Sequence, residues 1–226
     1  MAPDFFGSLI SSHHCRRILE VGSGANPTLS PEYVRSAGIS YVTSDANPEE
    51  LEKADPAFER LVLNLSDGTI DPALLGRFDC VLSRMVGEHV KDGRQYYRNI
   101  FQLLGRGGIS VHCFSTLWAL PFVVNRLLPE SLTDRLLDTF DPRNDKRQHG
   151  KFRAYYSWSR GPTKGMIESL RALGFEVVCW TGYFGHRYYQ PRLLALHRLE
   201  MLKANFLLRH PVPQLCSYSS LVLRKP

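Results

Sequence analysis

The sequence predicts an α/β fold in which a seven-stranded, mostly parallel sheet carries helices on both faces. Seven apolar, strand-like runs alternate with segments whose apolar residues recur at helical spacing. Glycine-rich turns follow the first of these runs and precede the fifth. Such alternation is typical of parallel sheets. A length of 226 residues fits one domain, so we expect residues 1–226 to form a single domain.

The strands are predicted from the apolar runs and the helices from periodicity and end signals. The predicted strands lie at about residues 17–21, 39–44, 60–65, 78–83, 108–114, 175–181 and 217–223. The clearest helix runs from Asp92 to Leu104, where apolar residues recur at helical spacing and Gly105 follows. Another helix is predicted between an N-cap at Thr163 and a stop at Gly174.

Two long segments exceed what a minimal α/β domain needs. Residues 115–160, after the fifth strand, begin with an amphipathic stretch and end in a basic and aromatic run. Residues 184–213, between the last two strands, contain a predicted helix at 192–208. Insertions on such a scaffold commonly cover the substrate, so we expect both to be helical insertions over the site.

The turn after the first strand has the composition of a ligand-binding loop. Glu20 precedes Gly22 and Gly24, and glycine lets a backbone turn sharply and approach a ligand closely. Asp45 ends the second strand, and an acid at that place suits the two hydroxyl groups of a ribose. Pro27 stands where the dinucleotide fingerprint has a third glycine. We therefore predict a nucleoside site without a pyrophosphate cradle.

These residues resemble motifs of the class I S-adenosylmethionine-dependent methyltransferases. Glu20, Gly22 and Gly24 match the acid-x-Gly-x-Gly motif of that family, and Asp45 matches its ribose acid. The resemblance implies a Rossmann-like sheet and S-adenosylmethionine as the cofactor.

Further motifs follow in the order that the family has them. Residues 78–83 resemble its fourth strand, the Glu-His-Val at 88–90 resembles a motif common in small-molecule members, and residues 105–108 resemble its glycine-rich turn. The resemblance covers residues 15–115 well and 160–226 loosely. It implies a methyltransferase that acts on a small molecule.

The resemblance also implies a set of cofactor-binding residues at the ends of the first four strands. They are Glu20, Gly22, Ser23, Gly24, Asp45, Ala46, Asn64, Leu65, Ser83 and Arg84. Glu20 is expected to orient the glycine loop and to face the amino group of the cofactor. Asn64 replaces an acid that relatives often carry, and an amide can still bond the adenine amino group.

The candidate catalytic residues are His89, His149 and Tyr155. His89 follows the fourth strand, where the family places the reacting methyl group; in the alternative interpretation, Glu88 and His89 only lock this loop. His149 and Tyr155 lie in the basic, aromatic end of the first insertion. Some relatives bind a divalent metal with Glu-x-x-Glu-His, but Met85 replaces the first Glu, so we expect no catalytic metal.

Charge is distributed unevenly along the chain. Residues 1–100 contain 10 Lys or Arg and 14 Asp or Glu, whereas residues 101–226 contain 18 and 8. The basic part is expected to carry the acceptor side. We predict O-methylation of a bulky small molecule that is partly hydrophobic or anionic. A solvated basic surface without a partner explains the charge equally well.

Other partners and functions stay open. The basic run at 143–160 would suit an RNA methyltransferase, but Ser-Arg-Met-Val at 83–86 is not the Asn/Asp-Pro-Pro-aromatic motif of many such enzymes. A non-catalytic cofactor-binding or scaffold domain is a further alternative, but intact Gly22, Gly24 and Asp45 argue against it, because a dead site has no need of them. An anionic membrane surface could receive the apolar stretch 117–137, although we favour packing of that face into the core. The oligomeric state is not indicated.

Composition points to a cytoplasmic protein. The five cysteines are scattered and are interpreted as small buried residues in a reducing compartment. We expect no signal peptide, because the N-terminus lacks a basic region, and no apolar run reaches membrane-spanning length.

Overall fold

The computed structural model describes residues 3–118, 153–185 and 194–226, together with Val123. The strands of this part are Arg17–Val21 (β1), Ser40–Asp45 (β2), Glu59–Val62 (β3), Phe78–Arg84 (β4), Leu104–Ser115 (β5), Glu176–Tyr183 (β6) and Tyr218–Arg224 (β7). The α-helices are Pro3–Ser12 (α1), Pro31–Ser36 (α2), Pro48–Glu52 (α3), Gly93–Leu103 (α4), Lys164–Ala172 (α5) and Leu194–Arg209 (α6). The predicted strands are confirmed, β5 being longer than expected because it includes the glycine turn.

The strands form one sheet in the order β3-β2-β1-β4-β5-β7-β6. Pairing is parallel from β3 to β5, and β7 runs antiparallel between β5 and β6. The prediction of a mostly parallel sheet is therefore confirmed. Strand order reverses between β1 and β4, which makes their carboxyl ends the switch point where open α/β sheets bind ligands.

Both faces of the central strands are buried under helices, whereas β3 and β6 at the edges of the sheet are largely exposed. Successive strand residues point to opposite faces, so Leu19 and Val81 pack with α4 and α5 on one side. Ile18 and Cys80 pack with α1 on the other side. Strands buried on both faces appear in a sequence as nearly continuous apolar runs, which is why their positions could be predicted.

Helix ends follow the capping signals. The Asp92 carboxylate accepts a hydrogen bond from the Gln95 backbone N–H at 3.0 Å and begins α4. The Thr163 hydroxyl accepts one from the Met166 N–H at 3.4 Å and begins α5, after which Gly174 takes a φ of +100°. Helix α4 ends at Leu103, directly before β5.

The two insertions are described to different extents. Helix α6 lies in the second insertion and agrees with the helix predicted at 192–208. The first insertion is described at its two ends and at Val123; the rest of its amphipathic stretch and His149 lie outside the described residues. Among the helices described, none has the length and apolar character needed to span a bilayer.

Candidate functional site

A cleft of about 420 Å³ opens at the carboxyl ends of β1, β2 and β4. Its walls come from the glycine turn, the segments after β2 and β3, the turn after β4, and α4. The lining residues are Val21, Gly22, Asp45, Ala46, Asn47, Leu63, Asn64, Leu65, Ser66, Met85, Val86, His89, Val90 and Tyr96. The cleft is of a size that binds small molecules.

The glycine turn has no room for a side chain at Gly22. Gly22 has a φ of +65°, and a Cβ there would lie 2.5 Å from Cγ2 of Val86. Gly24 has a φ of +47°, and its Cβ would lie 3.4 Å from Oδ2 of Asp45. Gly22 is therefore required both by its left-handed backbone and by the close approach of Val86, and Gly24 is required by its left-handed backbone.

A hydrogen bond within its own loop fixes the Asp45 carboxylate. Its Oδ1 accepts a hydrogen bond from the Asn47 N–H at 2.9 Å, and Asn47 in turn caps α3. The second oxygen lies beside Gly24, at the edge of the cleft. A fixed carboxylate at the end of β2 can accept hydrogen bonds from a diol.

Glu20 holds the loop that follows the glycine turn. It is buried, it does not line the cleft, and its oxygens accept hydrogen bonds from Thr28 and from the hydroxyl of Tyr41. The bond from the Thr28 N–H is 2.8 Å long and holds the loop that continues from the glycine turn. Orienting the loop is compatible with this geometry. Both oxygens accept hydrogen bonds from protein groups, and a contact with the cofactor's amino group stays a prediction.

Asn64 lines the cleft, but its amide also organises a turn. Its Nδ2 donates to Asp67 at 3.0 Å, and its Oδ1 accepts from the Ser66 N–H at 3.0 Å. Asp67 thus belongs to this turn.

Three further candidates, Ser23, Ser83 and Arg84, lie next to the cleft without lining it. The Arg84 guanidinium donates to the Asn26 carbonyl at 3.1 Å and ties β4 to the glycine loop. The Ser23 backbone N–H donates to the Ser44 carbonyl at 3.0 Å and fixes the same loop to β2. These residues hold in place the loops that form the cleft.

A buried polar group lies below the cleft on β4, β5 and α4. The Ser83 hydroxyl and Nδ1 of His112 are 2.7 Å apart, and burial lowers the pKa of His112 to about 3, so the imidazole is neutral. Within the described part of the chain, Nε2 of His112 and Oε2 of Glu88 are buried without a hydrogen-bond partner. Tyr96 also lines the cleft, but its hydroxyl is buried.

The turn at Gly87–His89 is fastened to the end of the first insertion. Backbone N–H groups of Tyr155 and Tyr156 donate to the Glu88 carbonyl at 2.8 and 3.0 Å. Nδ1 of His89 lies 3.2 Å from the Arg153 carbonyl. The Glu88 carboxylate accepts from the Ser115 hydroxyl at 2.8 Å, and burial raises its pKa. Glu88 thus locks the turn to β5, while His89 faces the cleft.

Tyr155 is placed beside this turn and outside the cleft lining. Its ring lies under the guanidinium of Arg153, 5.4 Å from the centroid, and it is partly exposed. Farther along the segment, Trp158 packs against Gly93 and Tyr97 of α4. The segment is therefore part of the wall above the turn.

The structure brings part of the predicted set together and adds residues that motifs do not reveal. Gly22, Asp45, Ala46, Asn64, Leu65 and His89 line the cleft. Asn47, Val86 and Tyr96 also line it, although sequence reasoning did not select them. Tyr96 lies on the core-facing side of α4. The helical spacing of apolar residues therefore predicted that it packs in the core, and it gave no sign that Tyr96 also lines the cleft.

The sequence matches the family described as a methyltransferase domain over residues 11–179. The chain belongs to this methyltransferase family. The methyltransferase is an enzyme that uses S-adenosylmethionine, and the glycine cradle and the fixed Asp45 carboxylate fit the nucleoside part of that cofactor. No curated protein matches the sequence significantly.

Solved structures share the fold of this methyltransferase at low sequence identity. A candidate sarcosine dimethylglycine methyltransferase from Galdieria sulphuraria has a TM-score of 0.58 and 12% identity, covering 99% of this chain and 84% of that one. An S-adenosylmethionine-dependent methyltransferase from Mesorhizobium loti has a TM-score of 0.57 and 14% identity, covering 99% and 98%. Phosphoethanolamine N-methyltransferase 2 of Haemonchus contortus, solved with S-adenosyl-L-methionine, has a TM-score of 0.56 and 18% identity, covering 93% and 49%.

Proposed function

We propose that this methyltransferase methylates an oxygen atom of a small molecule that is bulky and partly hydrophobic or anionic. The bound cofactor supplies a methyl group already activated by its sulfonium. The protein must hold the acceptor in line with that group and, for a hydroxyl acceptor, receive its proton. The observation that carries this proposal is the position of His89 in the cleft wall.

The hydrogen bond of His89 sets the state of its imidazole. A backbone carbonyl can only accept, so Nδ1 carries the proton toward Arg153. In the neutral imidazole the lone pair is then on Nε2. This arrangement suits a general base for a hydroxyl group. His149, which lies outside the described residues, and Tyr155 stay proposed partners on the acceptor side.

The composition of the adjoining wall supports the acceptor class. Arg153 and Tyr155 stack beside the turn that carries His89, and Trp158 follows in the same segment. A guanidinium next to aromatic rings suits an acceptor that joins an anionic group to an apolar one.

Cofactor binding tests the donor half of the proposal. S-adenosylhomocysteine should bind the wild type at about micromolar affinity, roughly −8 kcal/mol by calorimetry. Asp45→Asn keeps an acceptor for the Asn47 N–H but removes the charge, and should weaken binding by about 1.5–3 kcal/mol. Asp55→Asn, in a turn away from the cleft, is the matched control. Equal affinities for the wild type and Asp45→Asn would contradict the assignment.

Methyl transfer tests the acceptor half. Hydroxylated aromatic acids and their methyl esters, offered with S-adenosylmethionine, should be screened for formation of S-adenosylhomocysteine. His89→Asn retains a donor near the Arg153 carbonyl and lacks Nε2, so it should keep cofactor affinity and lose roughly 100-fold or more in kcat. Undiminished turnover in this variant would refute a base at His89. Methylation of bulk tRNA, with binding that falls steeply with salt, would favour the RNA alternative.

Transfer is expected to require no divalent metal. The basis is Met85, which replaces the first Glu of the metal-binding pattern and lines the cleft. Turnover of any acceptor found in the screen should be unchanged by EDTA. Activity that EDTA abolishes and magnesium restores would show that Glu88 and His89 hold a metal after all.

A further inference from the structure

Helix α6 presents large apolar side chains to solvent. Leu194, Leu199, Leu202, Phe206 and Leu208 have exposed fractions of 55% to 66%. Scattered exposed apolar residues are normal, but a contiguous group on one element marks an interaction surface. The helix therefore exposes several large apolar side chains to solvent.

The exposed residues follow the helical period. Leu199, Leu202 and Phe206 are spaced by three and four residues and form one stripe. Glu200, Ala204 and Leu207 are buried on the opposite side. The stripe thus points away from the sheet.

The charged residues in the C-terminal part of the chain are mostly basic. Residues 177–226 contain seven Lys or Arg and a single acid, Glu200. That acid is buried and paired with Lys203 at 2.8 Å and with the Ser217 hydroxyl at 3.2 Å. Arg198 and Arg209 are exposed beside the apolar stripe. An apolar stripe with exposed cationic residues beside it complements an anionic, amphipathic surface.

Helix α6 is anchored at the edge of the sheet that carries the cleft. The Lys203 ammonium donates to the Trp118 carbonyl at 2.7 Å, just beyond the carboxyl end of β5. Glu200 bonds Ser217, directly before the antiparallel β7. The carboxyl ends of β4 and β5, which carry His89 and Ser115, lie at this same edge.

We propose that α6 docks this edge of the enzyme on an anionic lipid bilayer. Leu199, Leu202 and Phe206 enter the boundary between headgroups and acyl chains, and Arg198 and Arg209 bind the anionic headgroups. The inference deepens the proposed function and rests on it in one respect: the acceptor is then an amphipathic molecule taken from the bilayer.

The test uses the full chain and sedimentation with vesicles. Binding to vesicles of phosphatidylcholine with phosphatidylglycerol should be strong at low salt and fall as salt rises, with little binding to phosphatidylcholine alone. Leu202→Ser with Phe206→Ser should lower binding at least roughly tenfold. Arg198→Gln with Arg209→Gln should remove the preference for the anionic lipid. Val62→Ser, an exposed apolar residue on β3, is the control and should bind like the wild type.

Affinity for S-adenosylhomocysteine, measured on every variant, shows that each is folded and keeps this test separate from that of the proposed function. Absence of wild-type binding to anionic vesicles, or equal losses in Val62→Ser and the stripe variant, would overturn the proposal. A dimer in light scattering that the stripe variant abolishes, without vesicle binding, would assign the stripe to a second copy of the chain. Vesicle binding combined with methyl transfer only to water-soluble acceptors would support α6 as a docking surface. It would contradict the inference that the acceptor is taken from the bilayer.

Discussion

Single residues determine the shape and the polarity of the cleft. Gly22 allows Val86 to pack directly against the glycine turn, and Asp45 places one carboxylate oxygen beside Gly24. Below them, a neutral His112 bonds Ser83 within a region that excludes water. The role of Gly22 depends on backbone conformation and that of His112 on desolvation, so mutation of each residue is expected to have a different effect.

Gly22→Ala should damage both folding and cofactor binding. A left-handed backbone costs a non-glycine residue about 1–2 kcal/mol, and the added Cβ would lie 2.5 Å from Val86. We expect a melting temperature lower by several degrees and an affinity for S-adenosylhomocysteine at least roughly tenfold weaker. Gly68→Ala is the control, because nothing lies within 4 Å of its Cβ position. Equal behaviour of the two variants would refute a steric role for Gly22.

His112 should make the protein sensitive to acid. Burial lowers its pKa from 6.5 to about 3, so its contribution to stability is complete above pH 6.5 and is lost as the pH falls toward 3. His112→Asn keeps a polar partner for Ser83 but does not titrate. The free energy of unfolding, measured by urea titration from pH 7 to 4, should fall more steeply in the wild type, by up to about 3 kcal/mol. Parallel curves would show that His112 is hydrated in the folded protein.

At the scale of elements, the segment 153–160 packs closely against helix α4 because α4 begins with a glycine. A Cβ on Gly93, the first residue of α4, would lie 2.6 Å from Cγ of Trp158. The Gly93 N–H also donates to the Ser157 hydroxyl at 3.3 Å. The helix start therefore holds the segment against the turn that carries His89.

Gly93→Ala should separate this segment from α4. The collision should destabilise the protein by about 1–3 kcal/mol in urea unfolding and accelerate tryptic cleavage after Arg153, because the segment would open more often. Gly165→Ala, inside α5 with nothing within 4 Å of its Cβ position, should instead stabilise by about 0.5–1 kcal/mol. Unchanged cleavage in Gly93→Ala would mean that the Glu88 contacts alone hold the segment.

At the scale of the whole molecule, the last strand of the chain lies inside the sheet. Strand β7 pairs with both β5 and β6, although the family match ends at residue 179. A chain that stops at residue 216 would leave β6 without a neighbouring strand. We expect such a truncation to show no cooperative melt by circular dichroism and no binding of S-adenosylhomocysteine, whereas removal of Pro226 alone should have no effect. A cooperative melt of the truncated chain would show that β1 to β5 fold independently.

Local signals in the sequence were sufficient for the elements and for part of the site. Strands buried on both faces, the caps at Asp92 and Thr163, and the turn at Gly22 each depend on nearby residues, so their positions could be predicted. The partners of Glu20, the second role of Tyr96 and the insertion of β7 between β5 and β6 depend on residues that are distant in the chain. Such contacts arise from tertiary packing, which no local pattern encodes.

The residues that line the cleft and the segments that flank it come from different parts of the chain, which has an evolutionary consequence. All described residues that line the cleft lie between Val21 and Tyr96, whereas the flanking wall and α6 come from residues beyond Ser115. Substitutions in the later segments can therefore accumulate without changing any described residue that lines the cleft.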